Sequence, residues 1–464
     1  MTPAQTRVLA ATILGSSMAF ADGSIVTVAI PRMREALDAS LAEMQWVANG
    51  YTLILSAFLL LGGAAGDRYG LRRVYGLGVG LFALASFACA LSGDALQLIG
   101  ARAAQGLGGA MMVPGSLALL SAHFPPQERG RAIGAWAGAT SIAAAFGPLL
   151  GGWLIDHASW QTIFLINLPI AAIALAIIIT GIADLPTGPA QPMDWAGALL
   201  AVASLGALAF GLTLLGEPGA PPDHALWIGL AGLVLFGLFL AWEFITPAPM
   251  MPPRLFAMRQ IAGVNALTLL LYFALAGAIF FIPSTLINAD GWSAAKSGSI
   301  FLAFTAMLAT LSRFGGAIAD KFGVRLPLTV GPAVTAASFV ALGPAVADGG
   351  YWSAMIPAML LMGLGMGITV APLSTAVMNG APAGQSGIAS AINNAVARVA
   401  GLIAVASLGA VAGEALVGGS REAALAGFSR LTWICAAAAG ASAVVAYATL
   451  RDEAATKGGA TDEI

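Results

Sequence analysis

Apolar runs of about twenty residues recur along the whole chain, and they constrain its fold more than any other feature. Fourteen such runs can be counted in 464 residues, of which 59% are hydrophobic and only 9% are charged. A helix of about twenty residues crosses roughly 30 Å of hydrocarbon. Strands of a membrane barrel would instead alternate polar and apolar residues. The sequence therefore predicts an all-α integral membrane protein with fourteen transmembrane helices.

A short charged motif occurs twice in this apolar background. The sequence GAAGDRYGLR at residues 63–72 follows the second run, and GAIADKFGVR at residues 316–325 follows the tenth. An even displacement of eight spans gives both copies the same orientation across the membrane. The chain is therefore predicted to contain two parallel repeats, related by an axis along the membrane normal.

Two six-helix repeats account for twelve of the fourteen spans, which leaves two helices over. The Pro/Gly-rich segments 186–192 and 247–253 flank spans seven and eight, so these spans are predicted to be the extra pair. Their interiors hold almost no polar residues, and we assign them no chemistry. The predicted domains are an N-terminal six-helix bundle (1–183), a linker with two extra transmembrane helices (184–253) and a C-terminal six-helix bundle (254–464).

The basic residues predict how the chain is oriented. Twelve of the 20 Lys and Arg residues fall in loops and tails on the side of the N-terminus, and five fall on the other side. Because basic residues are enriched in cytoplasmic loops, both termini are expected in the cytoplasm. Compact loops and the lack of a targeting segment favour a bacterial inner membrane as the location.

The composition and motifs exclude several classes of function. A net charge of −2 without a basic run offers nothing to nucleic acid. The sequence has no Gly-rich phosphate loop, no metal-spaced Cys/His cluster and no nucleophile elbow. We therefore expect no enzyme activity, no metal and no cofactor, and an ion gradient as the energy source.

Further segments are similar to the signature motifs of one transporter family. They are residues 22–31 with an acid, residues 102–106 with an arginine, Gly138 with residues 147–152, residues 164–169, and residues 194–197. Together with the repeated loop motif, they resemble the major facilitator superfamily, and specifically its fourteen-helix drug:proton antiporter branch. The resemblance implies a major facilitator fold, in which two parallel bundles rock about a central cavity.

Asp22 is the only carboxylate predicted to lie well inside a span. A buried charge costs about 2.5–3.5 kcal/mol on insertion scales, and such residues are functional by default. Arg102 is predicted at the same depth, roughly 10–12 Å from the outer ends of spans one and four. Burial favours the neutral acid whereas a nearby arginine favours the carboxylate, so Asp22 is the candidate proton-binding group with Arg102 as its partner. The alternative is a structural ion pair.

Arg398 is predicted at mid-depth in span thirteen, beside Asn393 and Asn394. An anionic or zwitterionic substrate would find two buried arginines, Arg102 and Arg398, whereas a cation would find only Asp22. Alternatively, Arg398 bonds carbonyls or the asparagines at a helix interface. Asp22, Arg102, Arg398 and Asn393 are therefore the predicted coupling and substrate residues, and the charge of the substrate stays open.

The two loop motifs predict a cytoplasmic gate. Its residues are Asp67, Arg68, Gly70 and Arg72 in the first copy, and Asp320, Lys321 and Arg325 in the second. Gly70 is expected to adopt a conformation that other residues resist. The family resemblance implies that Asp67 faces the N-terminus of span thirteen, where a helix dipole favours an anion. Alternatively, each loop is solvated and its basic residues only determine the orientation of the chain in the membrane. Orientation alone would not require the same spacing of charged residues in both copies of the motif.

Small residues recur along span five, at Gly138, Gly147, Gly151 and Gly152, and Pro148 lies among them. Glycines spaced in this way let a neighbouring helix approach closely, and a proline can kink the span. Packing alone is the alternative. The resemblance to the antiporter motif implies an interface that moves during transport.

These observations predict a secondary transporter that exports a small amphipathic compound in exchange for protons. Its expected partners are that substrate, protons and the lipid bilayer, and it is expected to be a monomer. Two alternatives remain open at this stage. One is an exporter of an anionic metabolite that uses Arg102 and Arg398, and the other is a membrane sensor that does not transport.

Overall fold

The computed structural model describes residues 1–183, 193–217, 219–382, 385–412 and 420–450. Within these ranges every regular element is a helix. The α-helices are α1 (Pro3–Ala36), α2 (Leu41–Tyr69), α3 (Leu71–Leu91), α4 (Ala95–His123), α5 (Pro126–His157), α6 (Thr162–Leu165), α7 (Asn167–Gly181), α8 (Trp195–Leu214), α9 (Pro222–Ile245), α10 (Arg259–Asp290), α11 (Ala294–Phe322), α12 (Arg325–Asp348), α13 (Ile356–Gly380), α14 (Ser386–Ala412) and α15 (Arg421–Thr449). In this part of the chain fourteen helical stretches are long and apolar enough to cross a membrane, with α6 and α7 forming one of them. The predicted all-α fold with fourteen spans is confirmed.

Side-chain caps determine where three of the first four helices begin. Thr2 and Ser40 each form a capping box, with Gln5 and Glu43 respectively. Asp94 caps α4 by accepting a hydrogen bond from the backbone three residues on. The caps define the starts of α1, α2 and α4, which are the helices that bring Asp22 and Arg102 together.

The chain divides into two compact units by its contacts. Unit 1 comprises Met1–Met250, Phe280–Ser299 and Val405–Arg421, and unit 2 comprises Met251–Ile279, Ile300–Ala404 and Glu422–Ile464. In unit 1, α2 packs on α4, α1 on α5, and α8 on both α9 and α2, whereas in unit 2 α12 packs on α13. These two units are defined by contacts between residues, whereas the three predicted domains were defined by the sequence repeat. The three-domain division therefore stays a prediction.

Glycines allow α2 and α4 to touch through their backbones. A Cβ atom added at Gly62 would lie 2.0 Å from the carbonyl oxygen of Ala110, and one added at Gly106 would lie 2.5 Å from that of Tyr51. Real Cβ atoms do not approach other atoms so closely, and packing of membrane helices at such distances requires small residues. The close approach places the backbone of α2 directly beside Arg102 of α4.

Each of the two charged loop motifs contains a glycine with a positive φ at the same position. Gly70 has a φ of +99° and Gly323, at the corresponding position of the second copy, has a φ of +79°. Residues with a side chain rarely adopt such angles. The expectation for Gly70 is confirmed, and the repeat extends from sequence to local structure.

An arginine of each loop motif binds the end of a helix in its own unit. Arg72 donates from Nε to the carbonyl oxygen of Ile178 at 3.0 Å and from Nη2 to that of Ile179 at 2.7 Å, near the C-terminus of α7. Arg325 donates from Nε to the carbonyl oxygen of Tyr447 at 3.0 Å, near the C-terminus of α15. A cation is favourable at a helix C-terminus because the unpaired carbonyls carry partial negative charge.

Replacing Arg72 with Gln is expected to lower the free energy of unfolding by about 1 kcal/mol, because two charge-assisted hydrogen bonds to the end of α7 are lost at a partly exposed site. The matched control is Arg73→Gln, since Arg73 is adjacent and exposed. Thermal unfolding of the purified protein in detergent measures both variants. Equal midpoints for the two variants would show that the bonds of Arg72 add nothing to stability.

Candidate functional site

The centre of the candidate site is an ion pair in the interior of unit 1. Arg102 Nη1 of α4 donates to Asp22 Oδ2 of α1, and each side chain is 1% exposed. The sequence predicted this contact from the matching depths of the two residues, and the structure brings them together. Since each charge neutralises the other, the pair can be buried at a cost far below that of either charge alone.

Three neutral side chains complete the surroundings of the carboxylate. Gln105 Nε2 donates to Asp22 Oδ1 at 3.2 Å, and Asn167 Nδ2 donates to the same oxygen at 3.3 Å. Both amides also donate to the hydroxyl of Ser86, at 2.7 Å and 3.3 Å respectively. Side chains from α1, α3, α4 and α7 therefore meet at one buried polar network.

The guanidinium of Arg102 is held from several directions. Nη1 also donates to Gln105 Oε1 at 2.6 Å, one helical turn along α4, and Nε donates to the carbonyl oxygen of Val47 at 3.1 Å. The aromatic ring of Tyr51 lies with its centroid 4.4 Å from Cζ, a distance at which a ring face attracts a cation. Arg102 is thus fixed by α2 and by its own helix as well as by Asp22.

This network has the chemistry needed to bind and release a proton. Asp22 supplies the only carboxyl group among the side chains that form it, and its partners other than Arg102 are the neutral amides of Gln105 and Asn167. The buried thiol of Cys89 also belongs to the network, since it donates to Gln105 Oε1 at 3.4 Å. If Asp22 accepts a proton, the attraction to Arg102 falls, while Arg102 keeps Gln105, Val47 and the ring of Tyr51 as partners.

Sequence reasoning missed Gln105, Asn167 and Ser86 as members of the network. Gln105 lies three residues after Arg102, a spacing that puts two side chains on one face of a helix, and this signal was available. Asn167 interrupts an apolar run, but nothing in the sequence indicates that it faces α1. Ser86 is one of many serines and threonines in the spans and carries no signal of its own.

Arg398 and Asn393 lie in α14, within unit 2. Asn393 Nδ2 donates to Asn265 Oδ1 at 3.1 Å and to Thr268 Oγ1 at 2.8 Å, both in α10. Asn393 therefore joins two helices of unit 2, and its role in substrate binding stays a prediction, as does that of Arg398. The alternative of an anionic substrate that is bound by Arg102 and Arg398 stays open.

The predicted gate residues are only partly described. Asp67 and Arg68 are exposed at the end of α2, and Lys321 is exposed near the end of α11. The side chain of Asp320 lies outside the described part of the chain. The predicted contact between Asp67 and the start of α14 stays a prediction.

The glycines of α5 divide into two groups by their surroundings. A Cβ atom at Gly147 would lie 2.2 Å from Ser24 Oγ and one at Gly151 would lie 2.6 Å from Ile25, so both pack against α1. A Cβ atom at Gly152 would lie 2.4 Å from the carbonyl oxygen of Ala294 in α11, whereas one at Gly138 would meet nothing within 4 Å. The close contact expected from the spacing is therefore found at the end of α5 that contains residues 147–152.

The same end of α5 is bonded to the start of α11. Asp156 accepts hydrogen bonds from the backbone nitrogens of Ala294 and Ala295, at 3.1 and 2.9 Å. A Cβ atom at Gly298 would lie 2.1 Å from the carbonyl oxygen of Pro148, so the two helices meet backbone to backbone. A carboxylate is favoured there because the first backbone N–H groups of a helix lack partners. Sequence analysis did not identify Asp156.

The fold and the buried network are those of a membrane transport protein, and comparison with known proteins specifies the family. Residues 12–405 match the sequence profile of the Major Facilitator Superfamily. The chain therefore belongs to this family of transporters, as the motif resemblance predicted.

Two curated relatives cover most of the chain. The methylenomycin A resistance protein of Bacillus subtilis is 34% identical over 409 residues, which are 87% of this chain and 87% of that protein. The tetracenomycin C resistance and export protein of Streptomyces glaucescens is 33% identical over 405 residues, which are 86% of this chain and 74% of the relative. The first relative is named as a resistance protein and the second as a resistance and export protein.

Solved structures share the fold at much lower identity. A POT family peptide transporter superposes with a TM-score of 0.70 at 17% identity, covering 97% of this chain and 98% of the other. A D-xylose–proton symporter superposes with a TM-score of 0.67 at 14% identity, covering 96% of this chain and 98% of the other. These similarities concern the fold alone.

Proposed function

We propose that this protein is a proton-coupled antiporter that exports a small amphipathic drug or antibiotic by alternating access. It lies in the bacterial inner membrane with both termini in the cytoplasm and works as a monomer. Support for export comes from the names of its relatives, which are resistance and export proteins. The positive-inside bias supports the orientation.

The observation that carries the proposal is the buried ion pair of Asp22 and Arg102. Asp22 binds a proton taken from outside, which removes the negative charge that faces Arg102. When the site opens to the cytoplasm, Asp22 releases the proton and the ion pair forms again. In an antiporter the binding site must not hold a proton and a substrate at the same time. A group beside the substrate path that changes its charge on binding a proton prevents this.

Arg102 adjusts the proton affinity of Asp22 without binding a proton itself. Its guanidinium stays charged throughout, and its bonds to Val47 and Gln105 hold it in place in both protonation states. Asn167 and Gln105 support the carboxylate as neutral donors. Asp22 is the only group in this arrangement whose charge changes during the cycle. The arrangement therefore does not determine whether the substrate is a cation, an anion or a zwitterion.

Replacing Asp22 with Asn is expected to abolish uptake driven by a proton gradient, because an amide cannot exchange a proton. The measurement uses inside-out vesicles under an imposed gradient, with a panel of lipophilic cations, anions and zwitterions. Glu35→Gln is the matched control, since it removes an exposed carboxylate from the same helix. We expect that variant to transport as the native chain does.

Gradient-driven uptake that survives in the Asp22→Asn variant would overturn the assignment of Asp22. Uptake of anions alone would instead support the alternative exporter of an anionic metabolite. If the native protein binds members of the panel but moves none of them, the sensor hypothesis is favoured. The membrane fraction and elution profile of each variant establish that it is folded.

A further inference from the structure

Two amide side chains donate to the same oxygen of Asp22, but they are held in different ways. One end of the Gln105 amide faces Arg102 Nη1 at 2.6 Å. The other end donates to Asp22 Oδ1 at 3.2 Å and to Ser86 Oγ at 2.7 Å. A guanidinium can only donate hydrogen bonds, so the end that faces Arg102 must be the oxygen. The thiol of Cys89 donates to that oxygen as well. The amide of Gln105 therefore cannot turn round while Arg102 stays in place.

Asn167, the first residue of α7, is held less tightly. Its Nδ2 donates to Asp22 Oδ1 and to Ser86 Oγ, both at 3.3 Å, which is longer than an ordinary hydrogen bond. Its Oδ1 accepts no hydrogen bond from the described residues, although Asn167 is only 3% exposed. A half-turn about the Cβ–Cγ bond exchanges the two ends of the amide, and this torsion is broad and roughly two-fold. Asn167 can therefore present either a donor or an acceptor to Asp22.

A proton bound by Asp22 lies on Oδ1. The other oxygen, Oδ2, already receives an N–H group of Arg102, and a second hydrogen there would face a cation. The proton on Oδ1 needs an acceptor, because a buried donor without a partner is costly. Gln105 offers only its N–H group at this position, whereas Asn167 offers its carbonyl oxygen after the half-turn.

Ser86 is placed to accommodate the half-turn. Its hydroxyl donates to the carbonyl oxygen of Phe82 at 2.8 Å, one turn back in α3, and its oxygen accepts from both amides. A hydroxyl both donates and accepts. When Asn167 turns, the hydroxyl hydrogen of Ser86 can rotate towards the carbonyl oxygen of Asn167, and the hydroxyl oxygen still accepts from Gln105. The change in α3 is then limited to one hydrogen atom.

We propose that Asn167 follows the charge of Asp22: its amide donates to the carboxylate and turns to accept a hydrogen bond from the protonated acid. Asn167 is a positioning residue in this role, since it does not bind the transported proton itself. The inference rests on the proposed binding of a proton by Asp22. Asn167 matters most in the half of the cycle in which Asp22 is protonated, because Arg102 and Gln105 already hold the carboxylate in the other half.

The titratable side chains beside this network in the described part of the chain are those of Arg102, Cys89 and Tyr51. The guanidinium only donates, the thiol donates to an amide oxygen of the network, and the hydroxyl of Tyr51 donates to a backbone carbonyl of α1 at 3.1 Å. Apart from Asp22, the charged residues of α1, α2, α3 and α5 lie near the ends of those helices, and α7 contains none. Asn167 is therefore the group best placed to accept the proton of Asp22.

The test compares two assays in vesicles, both with the panel compound that the native protein accumulates fastest. The first assay is uptake driven by a proton gradient, which requires Asp22 to bind and release a proton. The second is exchange of labelled for unlabelled compound without a gradient, which uses only the substrate-carrying half of the cycle. Asn167→Leu replaces the amide with an apolar group of similar shape. We expect it to lower driven uptake about tenfold, the effect of leaving one buried donor without an acceptor, and to leave exchange at the native rate.

Two further variants separate this role from packing. Asn167→Ala also removes the amide but leaves space instead of filling it, so we expect the same difference between the two assays. Thr140→Val, in α5, is the matched control, because it removes a buried hydroxyl of unit 1 that bonds only to carbonyls of its own helix. Both assays of that variant should match those of the native protein.

Equal losses in the two assays would show that Asn167 only holds helices together, and native rates of driven uptake in both Asn167 variants would show that its amide is not needed. Either result overturns the inference. Asp22→Asn distinguishes these results from a failure of the proposed function. Driven uptake that survives in Asp22→Asn contradicts the proton coupling itself, whereas driven uptake that is lost in Asp22→Asn but kept in the Asn167 variants contradicts only the role of Asn167.

Discussion

Replacing Arg102 with Met is expected to destabilise the protein by about 3–5 kcal/mol, because the carboxylate of Asp22 then remains buried without its cation. Both side chains are 1% exposed, so water cannot take the place of the guanidinium. The variant loses the bond to Val47 and the contact with the ring of Tyr51 as well. Chemical or thermal unfolding in detergent measures the loss.

The double variant Asp22→Asn with Arg102→Met is the control for this prediction. It removes both charges, and the stranded carboxylate with them, so we expect it to be more stable than Arg102→Met alone. The difference between the single and double variants measures the coupling of the two residues. A double variant that is less stable than the single one would show that Asp22 contributes stability without its partner.

Replacing Gly62 with Ala is expected to cost about 3 kcal/mol or more, at the upper end of the range for overpacked sites. The added methyl group would lie 2.0 Å from the carbonyl oxygen of Ala110. Since the obstructing atom is backbone, α2 and α4 would have to move apart rather than a side chain rotate. The separation would also displace Val47 and Tyr51 from Arg102, so transport should fall together with stability.

The control for Gly62→Ala is Gly80→Ala, in α3. A Cβ atom at Gly80 would meet nothing within 4 Å, and alanine favours the helix by up to about 1 kcal/mol over glycine. We expect that variant to be as stable as the native protein or slightly more so. If Gly62→Ala unfolds at the same temperature as Gly80→Ala, the backbone contact of α2 and α4 is not needed for stability.

The sequence was sufficient to predict the number of spans and the ion pair of Asp22 and Arg102. Long apolar runs specify membrane helices directly, and the spacing of Asp22 and Arg102 from the helix ends specifies their depth. The loop repeat predicted the conformation of Gly70 because few residues other than glycine adopt a positive φ. In these cases a property of one helix or one turn was enough.

The rest of the site depends on how helices are rotated against each other. Asn167 could face lipid, another helix or the cavity, and only packing directs it to Asp22.

The bonds of Arg72 and Arg325 tie each of the two charged loop motifs to the movement of a helix in its own unit. Each loop is attached to the last carbonyls of a helix far along the chain in its own unit, α7 in one case and α15 in the other. A spectroscopic label placed on either loop would therefore follow the displacement of a whole set of helices and not the fluctuation of a surface turn. The loops are natural positions for the labels of a distance measurement on the working transporter.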